Sequence, residues 1–173
     1  DVWMLELGNG TLSRLTSNGT VASADWADNS HVLYVANGDS ARTGVWRQSA
    51  SGATGPEKLY ETTDLVPVAV ISRDGKWLVL QTLGSWWRLF RVPLDSGPRK
   101  AQPYVADGQA DYSSPRLSPD GKWVAYVSNE TGRREVYIRS FPDPVTKVQL
   151  SSGGGDGAEW APELAAGAWL ASL

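Results

Sequence analysis

At 173 residues the chain has room for one domain with a core of its own, and its 16 basic and 19 acidic side chains leave a formal charge of −3. No run of like charge is present, which argues against a nucleic-acid footprint or a polybasic membrane patch. The absence of cysteine excludes disulfides, thiolate nucleophiles and cysteine-ligated metals, and no apolar run approaches the roughly 18 residues of a membrane span. The opening "DVWMLELGNG" lacks the charged, apolar and small-residue succession of a secretory signal. The chain therefore reads as soluble, with its original start further upstream. Nine tryptophans, 18 glycines and 10 prolines, spaced between short aromatic and β-branched runs, predict an all-β chain.

In chain order, "DVWMLEL" and "TLSRLT" predict two strands over residues 1–16. Residues 21–62 hold four more, "VASADW", "VLYVAN", "GVWRQSA" and "EKLYET". Residues 65–106 repeat the set as "VPVAVI", "WLVLQT", "RLFRVPL" and "KAQPYVA", and residues 111–152 as "DYSSPRL", "WVAYVS", "EVYIRSF" and "TKVQLS". Residues 153–173 give only the first two, "DGAEWAP" and "AWLASL". Trp26, Ile71, Leu117 and Trp160 form one column of this repeat, at intervals of 45, 46 and 43 residues. Three positions on stand Asn29, Asp74, Asp120 and Glu163, then Ser30, Gly75, Gly121 and Leu164. Asp-Gly in two copies predicts two-residue hairpins with positive φ, and His31 takes the turn position of Lys76 and Lys122. A second column, Trp3, Trp46, Phe90 and Tyr137, places one large aromatic per repeat where stacked sheets need filling. Trp123 is assigned to the same inter-blade core.

Four strands in about 45 residues is the period of a propeller blade. The predicted fold is an all-β β-propeller of four-stranded antiparallel blades, three full blades plus two half-blades. Each half-blade would leave an unpaired edge, so the two are expected to pair, within the chain or between chains. The tail "ELAAGAWLASL" is compatible with a strand or a short helix.

The segment "SPDGKWVAYVSNETGRREVYIRSFPDP", followed by "SSGGGDGAEWAP", resembles the TolB-type propeller repeat, most closely the version at the carboxyl end of bacterial transmembrane serine/threonine kinases. The repeat covers nearly the whole chain. The resemblance implies a sensor or scaffold module placed outside the cytoplasm, and a ring of about six blades in its fuller relatives. No kinase motif accompanies it.

Catalytic constellations are scarce. His31 is the only histidine, so neither a zinc site nor a Ser-His-Asp triad has its partners. "GGGDGA" at Gly153 has the spacing of a dinucleotide loop, but Pro162 and the predicted strand deny it the helix start that phosphate binding needs, and it reads as an inter-blade loop. The Asn-x-Thr triplets at Asn9, Asn18 and Asn129 read as turns, as do Asp74, Asp95, Asp120 and Asp143. The expectation is no enzyme, no catalytic residue, no metal and no cofactor.

Recognition is then sought on loops. Those joining second to third strands, and one blade to the next, share one end of a propeller. They supply the candidate binding face: Arg42, Trp86, Arg133, Arg134, Asp64, Asp107 and Asp156. Of the adjacent Trp86 and Trp87, strand alternation predicts one turned inward and one exposed as an anchor. The sequence is thus read as a non-catalytic interaction or sensing module for a protein or peptide ligand, with no nucleic acid and no direct membrane insertion, and with homo-oligomerisation through half-blade pairing. The alternatives are the gating propeller of a prolyl-oligopeptidase-type hydrolase and a structural module that oligomerises by half-blade exchange.

Overall fold

A strand whose successive side chains are all buried needs a neighbouring sheet on each face. The run from Val32 to Ala36 is of that kind, each residue at most 5% exposed. The computed structural model, which describes residues 1–17, 20–37, 43–95, 97–106, 108–161 and, as backbone, 169–172, meets the need by stacking sheets.

Sixteen strands lie among the described residues. A two-stranded sheet of β1 (Trp3–Glu6) and β2 (Thr11–Arg14) comes first. The first blade is β3 (Val21–Trp26), β4 (His31–Asn37), β5 (Thr43–Ser49) and β6 (Glu57–Thr62). The second is β7 (Leu65–Ile71), β8 (Trp77–Leu83), β9 (Arg88–Pro93) and β10 (Gln102–Val105). The third is β11 (Tyr112–Leu117), β12 (Trp123–Ser128), β13 (Glu135–Ser140) and β14 (Lys147–Gln149). A second two-stranded sheet, β15 (Gly157–Trp160) with β16 (Trp169–Ser172), closes the series. Within each blade the strands pair antiparallel in sequence order. First strands of successive sheets touch in series, β3 with β7, β7 with β11 and β11 with β15, which sets them along a common axis.

The core is divided between the sheets. Alternate residues of β4 point opposite ways: Val32, Tyr34 and Ala36 pack toward β1–β2 with Val2, while Leu33 and Val35 pack toward the second blade with Leu78, Leu80 and Val92. In β8, Leu78 and Leu80 face back and Val79 faces forward, where Val124, Tyr126 and Tyr137 meet it. Tyr126 and Tyr137 stack at 5.7 Å, and Tyr112 meets Tyr126 edge-on at 6.1 Å. Trp46, Phe90 and Tyr137 of the aromatic column each pack against the preceding sheet. Trp3, with no preceding sheet against it among the described residues, is 54% exposed.

Several expectations are corrected. The Asp-Gly hairpins are not two-residue turns. The amide of Ser72 bonds the carbonyl of Trp77 at 2.9 Å and that of Gly75 bonds Ser72 at 2.8 Å, so a four-residue loop is built around a tight turn, with only the glycine at positive φ, 71°. Gly121 repeats this at 69°. In the first blade Ala27 bonds His31 at 2.8 Å, making the hairpin one residue shorter, and His31 stands at the strand position of Trp77 and Trp123. Trp123 is half-buried and lies outside the packed clusters, whereas Trp77 packs edge-on against Phe141 at 5.8 Å. The two half-blades form separate two-stranded sheets, with no ladder between them among the described residues. The end of the tail is strand β16; residues 162–168 and 173, with Glu163 and Leu164, lie outside the described residues.

All three first strands of the full blades carry a register shift, at Val21/Ser23, Leu65/Val68 and Ser113/Arg116. In the third blade Ser114 takes φ 54°, a left-handed conformation rare for serine, and its amide is held by the buried side chain of Gln81 at 3.0 Å.

Leu78 is fully buried between two blades, so Leu78→Ala is expected to cost about 2–5 kcal/mol. Urea denaturation should give it a clearly larger loss than Trp123→Ala.

Candidate functional site

The ends of the first strands converge. Trp26, Ile71, Leu117 and Trp160, one column of the repeat, all line a cleft of about 770 Å³ at the hairpin end of the axis. Its floor is apolar, with Leu33, Val70, Ile71 and Leu117. Its rim carries Asp25, Asp28, Asn29, Arg73, Arg116 and Glu159. Trp26 is 56% exposed, a large apolar surface left open inside a concavity. The indole of Trp160 is fixed by donating to the carbonyl of Arg116 at 2.9 Å, and the Arg116 guanidinium donates to Glu159 at 2.8 Å. A second cleft of about 410 Å³ lies alongside, between the hairpins of the second and third blades, walled by Trp77, Phe141 and Pro142. Arg73 and Pro119 border both.

Hairpin chemistry holds this rim. The hydroxyl of Ser72 donates to Asp74 at 2.6 Å and accepts the amide of Trp77 at 3.0 Å, and Ser118, Asp120 and Trp123 repeat the pattern at 2.6 and 2.9 Å. In the shorter hairpin Asp28 does the work alone, accepting from the amides of Ser30 at 2.7 Å and His31 at 2.9 Å and facing the His31 ring at 3.0 Å. Desolvation opposes ionisation of Asp28, but the bonds from Ser30 and His31 outweigh it and hold the carboxyl down at about 2. His31 is accounted for as a turn residue's partner.

Of the residues proposed from sequence for the loop end, Arg133, Arg134, Asp64 and Asp156 are engaged in local polar contacts. Arg133 donates to Glu135 at 2.7 Å and Arg134 to Asp156 at 2.6 Å. Asp64 accepts from Thr62 at 3.2 Å. Arg42 and Asp107 lie outside the described residues. Trp86 and Trp87 are both exposed, 40% and 37%, in place of the expected inward and outward pair. Strand β9 begins only at Arg88, so the alternation rule does not apply to them. Trp87 is clamped by its backbone: its amide donates to Asp111 at 2.8 Å, and its carbonyl accepts from Tyr112 at 3.0 Å. Of the Asn-x-Thr triplets, Asn9 caps Thr11 at 2.9 Å and Asn129 accepts from Asp111 at 2.8 Å, both as turn residues, and Asn18 lies outside the described residues.

One arrangement at this end was not read from the sequence. Glu135 is 1% exposed. It accepts from the Ser151 hydroxyl, the Gly154 amide at 3.1 Å and Arg133, and Ser151 in turn accepts the Val136 amide at 2.8 Å. The Ser151 bond, supported by Gly154 and Arg133, keeps this carboxyl below the usual range against the opposing effect of burial. The same latch occurs in the first half-blade, where Thr16 donates to Asp1 at 3.2 Å and accepts the Val2 amide at 2.8 Å. It also explains "GGGDGA": Gly155 passes so close to Val136 that a Cβ would sit 2.8 Å from its methyl group, and Gly154 turns its amide to Glu135. The inter-blade loop reading of that motif is thereby given its cause.

The cleft residues Asp25, Trp26, Arg73, Arg116, Glu159 and Trp160 were not proposed from sequence. A signal was available, since "ADWA" at residues 24–27 and "AEWA" at 158–161 place an acid and an indole in the same frame of the repeat. Among the described residues no cluster of histidine and carboxylates is suited to a metal ion.

Solved structures similar to this chain include TolB from Acinetobacter baumannii, at 18% identity and TM-score 0.70 over 88% of this chain and 37% of that one. An oligogalacturonate lyase from Vibrio parahaemolyticus follows at 11% identity and TM-score 0.67, over 90% of this chain and 49% of that one. A puromycin-hydrolyzing peptidase from Mycobacterium tuberculosis shares 16% identity at TM-score 0.60, over 88% of this chain and 25% of that one. At such identities the likeness is one of fold, and it defines a TolB-like β-propeller. The chain spans less than half the length of each of these three. No protein-family model and no curated protein matches the sequence.

A carboxyl held below its ordinary value of 3.8 contributes stability that is present above that pH and is lost as pH falls toward about 2. The acid loss of stability over that window is expected to shrink in Asp28→Asn, measured by urea denaturation at stepped pH. Ser151→Ala strands the Val136 amide and is expected to cost about 1–3 kcal/mol in the same assay at neutral pH.

Proposed function

We propose that the chain is a non-catalytic, ligand-binding propeller module, and that its recognition site is the cleft where the four inner strands converge. The observation that carries this reading is the Trp26 indole, 56% exposed inside a concavity otherwise floored by aliphatic side chains. An exposed indole on a rigid wall is a favoured binding anchor, and the hairpin bonds described above hold that wall in place before any ligand arrives. The carboxylates at the rim support a binding role over proton transfer, since Asp28 is held ionised by its turn and Glu159 is tied to Arg116. The ligand class is a protein or peptide segment. The repeat's resemblance to the propellers of bacterial transmembrane kinases favours a sensing role outside the cytoplasm.

A second reading is supported by the peptidase among the similar structures. In it the chain is the gating propeller of a hydrolase, and the cleft is the passage to a catalytic domain. The reading frame around this segment separates the two: a Gly-x-Ser-x-Gly domain favours the gate, a kinase domain with a membrane span favours the sensor.

The test is selection of a random heptapeptide display library on the wild-type chain, followed by affinity measurement on variants. Selected peptides are expected to lose about tenfold or more in Trp26→Ala, with the urea midpoint unchanged. Peptides that lose affinity in Trp86→Ala and not in Trp26→Ala would move the recognition site to the loop end.

A further inference from the structure

Resting on the reading of the cleft as the recognition site, we infer that it selects a short polypeptide segment carrying one acidic and one basic side chain on either side of an apolar one, the acid received by Arg73 and the base by Asp25.

The rim carries three carboxylates, Asp25, Asp28 and Glu159, and two guanidinium groups, Arg73 and Arg116. Glu159 and Arg116 neutralise each other at 2.8 Å, and a further Arg116 nitrogen is taken by the Pro115 carbonyl at 3.1 Å. Asp28 is consumed by the two amides and the ring of its own hairpin. What remains is one charge of each sign. Asp25 accepts only the amide of the next residue, Trp26, at 2.8 Å and has no ion pair among the described residues. Arg73 is exposed, with neither a hydrogen bond nor an ion pair among them.

The two unpaired groups stand on neighbouring blades, Asp25 at the end of β3 and Arg73 in the hairpin after β7, and they form no ion pair with each other. The same cleft is lined by Trp26, Val70 and Ile71. A ligand that satisfies both charges and also covers this apolar surface carries an apolar group together with its two charges. A chain segment does, and it places an aliphatic or aromatic side chain on the floor while its flanking side chains reach the rim.

The test uses four synthetic peptides: acetyl-Glu-Gly-Leu-Gly-Lys-amide, its reversed sequence, and forms of the tighter of these two with Gln for Glu or acetyl-lysine for Lys. Calorimetry is expected to show about fivefold weaker binding on removal of either charge, the worth of one exposed ion pair. In Asp25→Asn the penalty for acetyl-lysine should vanish while that for Gln persists, and in Arg73→Gln the reverse should hold. Equal affinity for charged and neutralised peptides, or penalties unchanged in both variants, overturns the inference. If those equal affinities still fall in Trp26→Ala, the charge selection fails and the cleft stands. If no peptide binds, or if binding is indifferent to Trp26→Ala, the cleft reading fails with it.

Discussion

Burial of both faces of each sheet is the constraint on which everything else in this molecule depends. A four-stranded blade cannot cover its own flat sides, so β4, β8 and β12 carry side chains that are apolar nearly throughout, and each blade is a core only in the company of its neighbours. Tyr34 with Trp46, Leu80 with Phe90 and Tyr126 with Tyr137 are the cross-strand pairs that fill successive interfaces. Trp3 shows what the same position looks like with no preceding sheet against it among the described residues: over half of it meets solvent.

Stacking of this kind puts equivalent residues of successive blades side by side at the axis, and there the repeat stops repeating its chemistry. The packing columns keep to aliphatic and aromatic side chains because the interfaces demand them. The axial column reads Trp26, Ile71, Leu117, Trp160, and its neighbours read Asp25, Val70, Arg116, Glu159. Likeness to TolB, to a lyase and to a peptidase is carried by the packing, which the three share whatever they act on. At the axial positions Ile71 and Leu117 still pack against the inter-blade cores, while Trp26 is left exposed, and it is these positions to which the proposed recognition is assigned.

The strands were legible because their signals are local and recur: a turn, an apolar run and an aromatic at fixed offsets, four times over. What escaped the sequence depends on contacts between segments far apart. The shorter hairpin at Asp28 is invisible to an alignment that counts residues from Trp26, since one fewer residue in a turn only displaces His31 by one place. The latch between Glu135 and Ser151 joins positions 16 residues apart through a hydroxyl, and a serine after a strand carries no sign of such a role. The binding face was sought on loops for a sound general reason, yet Arg133, Arg134 and Asp156 spend their charges on one another or on Glu135. Trp26 and Trp160 were placed in one column from the start, but only the convergence of the inner strands shows that a column can be a wall.

The irregularities of β3, β7 and β11 bear on how anything could enter that wall. Each is the edge strand of its sheet at the axis, and an intact edge invites a visiting strand to add to it through main-chain bonds. Register shifts in all three, Pro67 and Pro115 within two of them, and the left-handed Ser114 break the row of donors and acceptors such a visitor would need. Augmentation is thereby discouraged at the centre of the wheel. The proposed guest would then be read by its side chains rather than its backbone, and the chain's own inner edges are hindered from pairing with each other.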